Sequence, residues 1–169
     1  MRAYPKRRAS GFTLVELLIV IAIIGLIAAI LVPNMLDSLQ RSRQKRTVGD
    51  IKIAGVAMVS WLTDHGGAAA AGQATISISD WQGTGDITEI GATLIPTYLQ
   101  TIPANDGWGN PFTYRLNIAE PSSTHSMLVA SPGRDNILDG TYTQGTFDVR
   151  DYDEDIVWAD GEFIRLPKG

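Results

Sequence analysis

The stretch Gly11-Phe12-Thr13-Leu14-Val15-Glu16 opens a long apolar run that continues to Leu36. No charged side chain lies between Glu16 and Asp37. A helix of about 20 apolar residues is long enough to cross a hydrocarbon core roughly 30 Å thick. The run therefore predicts a helix that spans a membrane, and the remaining chain is organised around it.

The residues that flank this run narrow its interpretation. The preceding segment is short and basic, with Arg2, Lys6, Arg7 and Arg8. An ordinary secretory signal has a shorter apolar core and a small-residue cleavage site after that core, whereas here the basic segment ends before the run begins. A simple anchor needs no carboxylate near its start, and a charge within a membrane helix costs on the order of 2.5–3.5 kcal/mol. Glu16 therefore indicates a function.

The pattern G-F-T-L-x-E after a short basic leader resembles the prepilins of type IV pili and the pseudopilins of type II secretion. The resemblance implies that a prepilin peptidase removes residues 1–11 as a leader peptide, cleaving between Gly11 and Phe12, and methylates the new amine of Phe12. Glu16 stands at the family's glutamate, which pairs with the N-terminal amine of a neighbouring subunit and sets the axial register. Pro33 stands where the family has a helix-kinking proline.

Periodicity extends the helix beyond the membrane. Residues 12–65 are predicted to be helical, with residues 12–36 as the membrane or filament-core anchor and residues 37–65 as an amphipathic half. Apolar residues at three- and four-residue spacing predict a stripe that packs on the protein's own sheet, a partner groove being the alternative. The stripe consists of Val48, Ile51, Gly55, Met58 and Leu62. Paired Gly66 and Gly67 predict the end of the helix.

Residues 66–169 are predicted to form a globular head with a small antiparallel β-sheet, which makes the fold class α+β. Residues 66–93 are expected to be a connecting loop with a short strand at residues 75–79. Further strands are predicted at residues 112–116 and 126–131, and a final hairpin with a type I′ turn at Asp160-Gly161. Residues 106–112 resemble the D-x-W-G-x-P-[YF] segment of the major pseudopilin, with Gly107 where that family more often has proline. Trp108 is expected to cover the sheet core.

The C-terminal part is unusually acidic. From Asp135 to Glu162 there are nine acidic side chains and one basic side chain, Arg150. Such crowding repels itself unless it is solvated or neutralised. Calcium, a hard ion that takes six to eight oxygen ligands, is the neutraliser that we expect. An acidic loop without a metal is the alternative.

The resemblance to the major pseudopilin also implies calcium in this loop. That family binds the ion between an S-x-G-x-D segment and a D-D-I-like segment, and residues 131–135 and 153–156 stand at those places. The expected ligands are Asp135, Asp153 and Asp155, with a backbone carbonyl near Ala130 or Ser131. An EF-hand beginning at Asp151 is rejected, because Ile156 occupies the position that needs glycine for the sharp turn of that loop.

Composition excludes several functions. Loss of residues 1–11 removes four bases and no acids, so the net charge moves from −4 to −8, which argues against nucleic acid as a partner. The chain has no cysteine, so no disulfide closes the C-terminal loop. An anchored exported enzyme is the alternative from another class. It is disfavoured because neither His65 nor His125 belongs to a catalytic motif.

The sequence therefore predicts a structural subunit of a type IV pilus-like filament, the major pseudopilin of a type II secretion system. The alternative is a major or minor pilin of a type IV pilus that serves adhesion or motility. The expected partners are further copies of the chain, the prepilin peptidase, the inner-membrane assembly platform and the minor pseudopilins. The expected location is the bacterial inner membrane, with the head in the periplasm and the assembled filament in the periplasm or at the cell surface.

Overall fold

The computed structural model describes residues 11–66 and 75–168. The basic residues of the leader and Gly67 lie outside these ranges. Helix α1 runs from Leu14 to Asp64, which agrees with the predicted helix to within two residues at its start and one at its end. The chain divides into two compact units, one up to Ser38 and one from Leu39 onward.

The first unit contains the apolar part of α1. Its side chains from Leu14 to Leu36 are exposed, and the most apolar window of α1 has a mean hydropathy of 3.1 with no residue buried inside the protein. Leucine and isoleucine side chains left in this state need cover from lipid or from another chain. By length and composition, this segment can cross a membrane.

The second unit buries one face of α1. Four residues of the predicted stripe are buried, and Val48 packs against the same core at partial exposure. The buried residues are Ile51, Gly55, Met58 and Leu62. A Cβ atom at Gly55 would lie 2.7 Å from the indole ring of Trp158, so only glycine lets the helix approach the sheet this closely. The stripe packs on the protein's own sheet, as predicted.

The head contains a five-stranded sheet in the order β2-β3-β6-β7-β5 and a two-stranded sheet of β1 and β4. All pairs are antiparallel except β5 with β7, which is parallel. The larger sheet is therefore mixed rather than purely antiparallel. The strands are β1 (Thr75–Ser77), β2 (Thr113–Leu116), β3 (Met127–Ser131), β4 (Thr141–Thr143), β5 (Gly145–Phe147), β6 (Ile156–Ala159) and β7 (Glu162–Pro167).

The central strands are covered on both faces. Successive side chains of a strand point to opposite faces. In β3, Met127 and Val129 belong to the apolar cluster shared with α1, whereas Leu128 and Ala130 belong to a second cluster that includes Ile76 of β1. Residues 127–131 are therefore all buried. This double cover explains why an apolar run rather than an alternating pattern marks the strand.

The predicted hairpin is present at β6 and β7. Asp160 and Gly161 both have positive φ angles, 47° and 107°, as a type I′ turn requires.

The prediction of a connecting loop at residues 66–93 was wrong in part. This segment contains a 3₁₀ helix at Ile78–Asp80 and helix α2 at Ile87–Leu94. The N-cap is Asp86, which accepts a 2.8 Å hydrogen bond from the backbone N–H of Thr88, and such a cap favours helix initiation.

Candidate functional site

The junction between Gly11 and Phe12 precedes the first helical residue and is exposed. Phe12 has 74% of its surface accessible, and residues 11–13 belong to no helix or strand. An extended, accessible segment is the form in which a protease can reach a peptide bond. The geometry at the predicted cleavage site is therefore compatible with processing.

Glu16 closes a capping box with Thr13. The backbone N–H and the hydroxyl of Thr13 each donate a 2.8 Å hydrogen bond to Glu16 Oε2, and the backbone N–H of Glu16 donates to Thr13 Oγ1 at 3.2 Å. Such a reciprocal pair satisfies amide groups that a helix leaves open at its N-terminus. The T-x-x-E spacing is a recognised signal for it, and the sequence analysis did not use that signal.

Pro33 lies inside α1, which continues unbroken through it. Proline has no N–H to donate to the carbonyl group one turn earlier, so a helical hydrogen bond is missing there. The side chain of the neighbouring Asn34 also bonds the helix backbone, its Nδ2 donating a 3.2 Å hydrogen bond to the carbonyl oxygen of Ile30. The helix is thus locally weakened at the position where the sequence predicted a kink.

In the head, the structure brings the two segments of the predicted calcium loop side by side. Gly133 has a φ angle of 68°, and a Cβ atom there would lie 2.9 Å from the carbonyl oxygens of both Asp153 and Glu154. The backbone N–H of Arg134 donates a 2.8 Å hydrogen bond to the carbonyl oxygen of Tyr152. Residues 131–135 are therefore in contact with residues 152–154, as the pseudopilin resemblance implied.

All four residues predicted as ligands make other hydrogen bonds in this arrangement. Arg134 holds Asp153 in a bidentate pair, with N–O distances of 2.8 and 2.6 Å, and this hydrogen bond lowers the pKa of Asp153. The hydroxyl of Ser131 donates a 2.7 Å hydrogen bond to Asp106 Oδ2. The exposed Asp135 accepts only a local hydrogen bond of 3.0 Å from the backbone N–H of Ile137 among the contacts that the structure gives it.

Asp155, the fourth predicted ligand, is 98% buried. Its Oδ2 accepts hydrogen bonds from the hydroxyl of Tyr142 at 2.6 Å and from the backbone N–H of Asp139 at 2.9 Å. Its Oδ1 is buried and has no hydrogen-bond partner among the residues that the structure describes. Burial raises the pKa of Asp155 to about 6, although the bond from Tyr142 acts in the opposite direction. An ionised Asp155 thus lacks full compensation for its charge.

Near these residues lies an acidic depression of about 230 Å³. It is lined by Asp135, Ile137, Asp139, Asp151, Asp153 and Glu154. In residues 11–66 and 75–168, no three His, Asp or Glu side chains are close enough together to hold a metal ion. The carboxylates and the unpartnered oxygen of Asp155 are nevertheless the donor chemistry that calcium prefers.

The segment at residues 106–111 connects the acidic loop with α1. Asp106 accepts hydrogen bonds from the backbone N–H groups of Trp108 and Asn110, both at 2.9 Å, and from Ser131. The backbone N–H of Gly107 donates a 2.9 Å hydrogen bond to Thr47 Oγ1. A proline at this position would have no N–H to donate. Gly107 therefore makes a hydrogen bond to α1 that proline could not make.

Trp108 does not cover the sheet core, and that expectation was wrong. The indole Nε1 of Trp108 donates a 2.7 Å hydrogen bond to Gln40 Oε1 on α1, and Trp108 belongs to neither core cluster of the described residues. The amide of Asn110 donates a 2.7 Å bond to the carbonyl oxygen of Gly133. The segment therefore holds the acidic loop against the helix.

The two histidines have structural contacts. His65 stacks on Trp61, and its Nδ1 lies 2.7 Å from the carbonyl oxygen of Trp61. His125 Nδ1 lies 3.6 Å from Asp160 Oδ2. The other oxygen of Asp160 accepts 3.0 Å bonds from the backbone N–H groups of Ser126 and Met127, and burial raises the pKa of Asp160. Asp160 thereby ties the hairpin turn to β3, a role that the sequence analysis missed.

Known proteins resemble this chain in its N-terminal motif and, for one relative, over most of its length. Residues 6–32 match the prokaryotic N-terminal methylation motif. The Escherichia coli type II secretion system core protein G is 30% identical over 140 residues, which are 78% of this chain and 86% of that protein. The Aeromonas hydrophila core protein G is 46% identical over 46 residues, 27% of this chain and 32% of that protein.

A third relative is a pilin. The Myxococcus xanthus type IV major pilin protein PilA is 41% identical over 63 residues, 37% of this chain and 28% of that protein. No solved structure matches the chain. The methylation motif, the apolar helix and the long match to core protein G agree with one another. The chain therefore belongs to the pilin and pseudopilin family, whose members are filament-forming structural subunits.

Proposed function

We propose that this chain is the major pseudopilin of a type II secretion system. The observation that carries the proposal is the 140-residue match to the E. coli core protein G, which is far longer than the 51 residues of α1 and therefore includes the head. The match to the Myxococcus pilin covers only 63 residues. A pilin of a type IV pilus is the second candidate, supported by that shorter match.

Deletion of the gene tests this choice. Loss of protein secretion with normal surface pili supports the pseudopilin. Loss of surface filaments, of adhesion or of motility with normal secretion overturns it in favour of the pilin. Complementation with the unchanged chain should restore whichever function was lost, and a Glu16→Ala chain serves as a control that inserts in the membrane without assembling.

Processing makes the filament subunit from its precursor. A prepilin peptidase cleaves between Gly11 and Phe12 and methylates the amine of Phe12. The apolar helix stays in the inner membrane and the head lies in the periplasm, where the assembly platform and minor pseudopilins receive it. Support comes from the exposed junction and the match to the methylation motif at residues 6–32.

Replacement of Gly11 tests this step. Gly11→Leu should leave the leader attached, because the peptidase must accommodate the residue before the cleaved bond. Mass spectrometry should then find an unprocessed chain and no methylated Phe12. Gly25→Ala is a matched control, since a Cβ atom at residue 25 meets nothing within 4 Å. A processed Gly11→Leu chain would contradict the assignment of the junction.

Assembly exchanges one set of contacts for another. In the single chain Thr13 donates both hydrogen bonds to Glu16, and the apolar side chains of residues 14–36 face outward. In a filament, helices of other copies replace lipid around those side chains, and the cationic amine of a neighbouring Phe12 pairs with Glu16. A buried carboxylate without such a partner is strongly disfavoured, so the pair selects one axial register.

Calcium is the proposed ligand of the acidic loop. The oxygens of Asp135, Asp153 and Asp155, with a backbone carbonyl near Ser131, would hold it. The ion would neutralise the carboxylates and satisfy the unpartnered Oδ1 of Asp155. Arg134 must release Asp153 for this to happen. Because both side chains are about half exposed, solvent screens the pair and its loss costs little stability.

We further propose that the chain has no catalytic activity. Ser131, the serine in the acidic loop, donates its hydroxyl hydrogen to Asp106, and neither histidine contacts it among the described contacts. Ser131 is also fully buried, so a substrate cannot reach its hydroxyl oxygen. Hydrolysis of ester, peptide or glycoside substrates by the purified mature chain would contradict this proposal, provided that an inactive preparation from the parent strain serves as the control.

A further inference from the structure

An exposed isoleucine stands out on the head. Ile137 is 63% exposed, against 37–58% for the other large apolar side chains of the second unit that are exposed. It lies in the loop after β3, between the exposed carboxylates of Asp135 and Asp139. The hydrogen bond from its backbone N–H to Asp135 Oδ1 fixes this part of the loop. The loop therefore presents one apolar side chain flanked by two negative charges.

An apolar cleft lies elsewhere on the same head, between α1 and the end of β7. Its volume is about 240 Å³, and its apolar walls come from Val48, Val149, Leu166 and Pro167. Two exposed lysines, Lys45 and Lys168, also line it. An apolar cavity of about 150 Å³ accepts benzene, so this cleft has room for a branched aliphatic side chain.

The loop and the cleft are complementary in polarity and charge. We propose that Ile137 of one copy inserts into this cleft of another copy, with Asp139 beside Lys45 and Lys168. Asp135 takes no part in this contact, because its carboxylate is a proposed ligand of calcium. The contact rests on the proposed filament function and adds to it a specific contact between heads. Because exposed charges surround the apolar centre, the contact weakens as salt is added.

A second groove on α1 is a poorer receptor for this loop. It has a volume of about 530 Å³ and includes Ile53, Val56 and Tyr98, but Lys52 is the single cation that lines it. The cleft offers two lysines to the carboxylate of Asp139, whereas the second groove offers one. The second groove therefore provides the matched control for the first.

The proposed contact is heterologous. The loop around Ile137 and the cleft share no residue, so each copy offers a donor surface and a receptor surface. A heterologous contact repeats from copy to copy and builds an open assembly when the rotation does not close. This property suits a filament rather than a dimer.

Disulfide cross-linking tests the contact directly, because the chain has no cysteine of its own. Cells that make Ile137→Cys and Val149→Cys chains together should yield a cross-linked dimer after mild oxidation of the filaments. One chain that carries both substitutions should yield a ladder of dimers, trimers and longer products. Ile137→Cys together with Val56→Cys, in the second groove, should yield neither.

Charge exchange gives an independent test. Asp139→Lys and Lys168→Asp should each shorten or deplete filaments by about tenfold, the effect of about 1.4 kcal/mol per contact, and the two together should restore them. Glu120→Lys, an exposed charge outside the contact, should have no effect. Filaments that form without the cross-link, equal cross-linking through residue 56, or no restoration by the double variant overturn the contact alone. Absence of filaments from the unchanged chain overturns the proposed function and the contact with it.

Discussion

Glu16 lies near the start of the apolar helix and Asp155 is buried in the head, and a charge is unfavourable in both environments. The two carboxylates differ in where their hydrogen-bond donors lie. Glu16 is exposed in the single chain and takes both of its hydrogen bonds from Thr13, three residues away. Asp155 is buried and takes its bonds from Tyr142 and Asp139, residues 13 and 16 positions away. The first acid can be satisfied locally until another copy arrives. The second depends on the folded head.

The difference teaches what each acid is available for. The contacts of Glu16 lie within one helical turn, so an incoming amine can replace them without disturbing the rest of the chain. The contacts of Asp155 hold β4 and the acidic loop to β6, and one of its oxygens has no partner. A cation that reaches this oxygen stabilises the head itself. Under the proposed function, Glu16 is the acid available for a contact between copies, whereas Asp155 serves the fold of one copy.

The largest expected effect is at Glu16. Glu16→Ala should still insert in the membrane but should give no filaments, because no carboxylate remains to pair with the neighbouring amine. Electron microscopy and membrane fractionation measure the two outcomes. Thr13→Ala is the matched control: it removes the cap, at about 1 kcal/mol, but keeps the charge, and it should assemble. Normal filaments from Glu16→Ala would show that assembly does not need this carboxylate.

The second largest expected effect is a response to calcium that depends on Asp155 and not on Glu16. At a calcium concentration 100 times its Kd, the mature chain in detergent should be stabilised by about 2.7 kcal/mol, seen as a rise in the Tm of the head. Asp155→Asn should lose this rise, whereas Glu16→Ala should keep it. Arg134→Ala should increase the apparent calcium affinity, because it frees Asp153. If the Tm of the unchanged chain did not depend on calcium, the proposal that the acidic loop binds calcium would be wrong.

The pH dependence of stability tests the burial of Asp155. Its pKa is raised from 3.8 to about 6 in the folded head, so the folded state binds the proton more tightly than the unfolded state. The stabilisation from this group is complete below the unfolded pKa and is lost as the pH rises toward and through about 6. Without calcium, the unfolding free energy of the head should therefore fall by about 2 kcal/mol between about pH 4 and pH 7.

The variant Asp155→Asn isolates that contribution from other carboxylates. Asp153 has a lowered pKa because Arg134 donates hydrogen bonds to it, so its stabilisation is present above its unfolded pKa and is lost at more acidic pH. The informative quantity is therefore the difference between the unfolding free energies of the unchanged chain and Asp155→Asn. A difference that does not vary with pH would show that Asp155 titrates as an exposed group.

The smallest expected effect is at Tyr142. Tyr142→Phe removes the 2.6 Å hydrogen bond to Asp155 and should cost about 1–2 kcal/mol of unfolding free energy, because a buried acceptor loses its donor. Tyr98→Phe is the matched control, since Tyr98 donates a 2.9 Å bond to Asp64 at the surface. As a surface substitution, Tyr98→Phe should lower the unfolding free energy far less than Tyr142→Phe does. Equal losses in thermal denaturation would show that burial does not distinguish the two bonds.

Much of the architecture could be predicted from the sequence because its signals are local. The uncharged run and the paired glycines predicted the ends of α1 to within two residues. The stripe that includes Met58 predicted which face is buried. Helix α2 was missed because its eight residues follow a stretch of small residues, although the Asp86 cap and the helical spacing of Ile87, Ile90 and Leu94 were available signals. Trp108 was misplaced because its partner, Gln40, lies 68 residues away.

The sequence alone determined the long apolar helix, the methylation motif and the position of Glu16 near the start of that helix, because each depends on composition or spacing within a few helical turns. The tertiary structure alone decided which acids of the C-terminal stretch are buried, paired or exposed. Nine acids look alike in the sequence, yet Asp155 is buried beside Tyr142, Asp153 is held by Arg134, and Asp139 is exposed. The physical reason is that burial and pairing depend on strands and loops that meet only when the chain has folded.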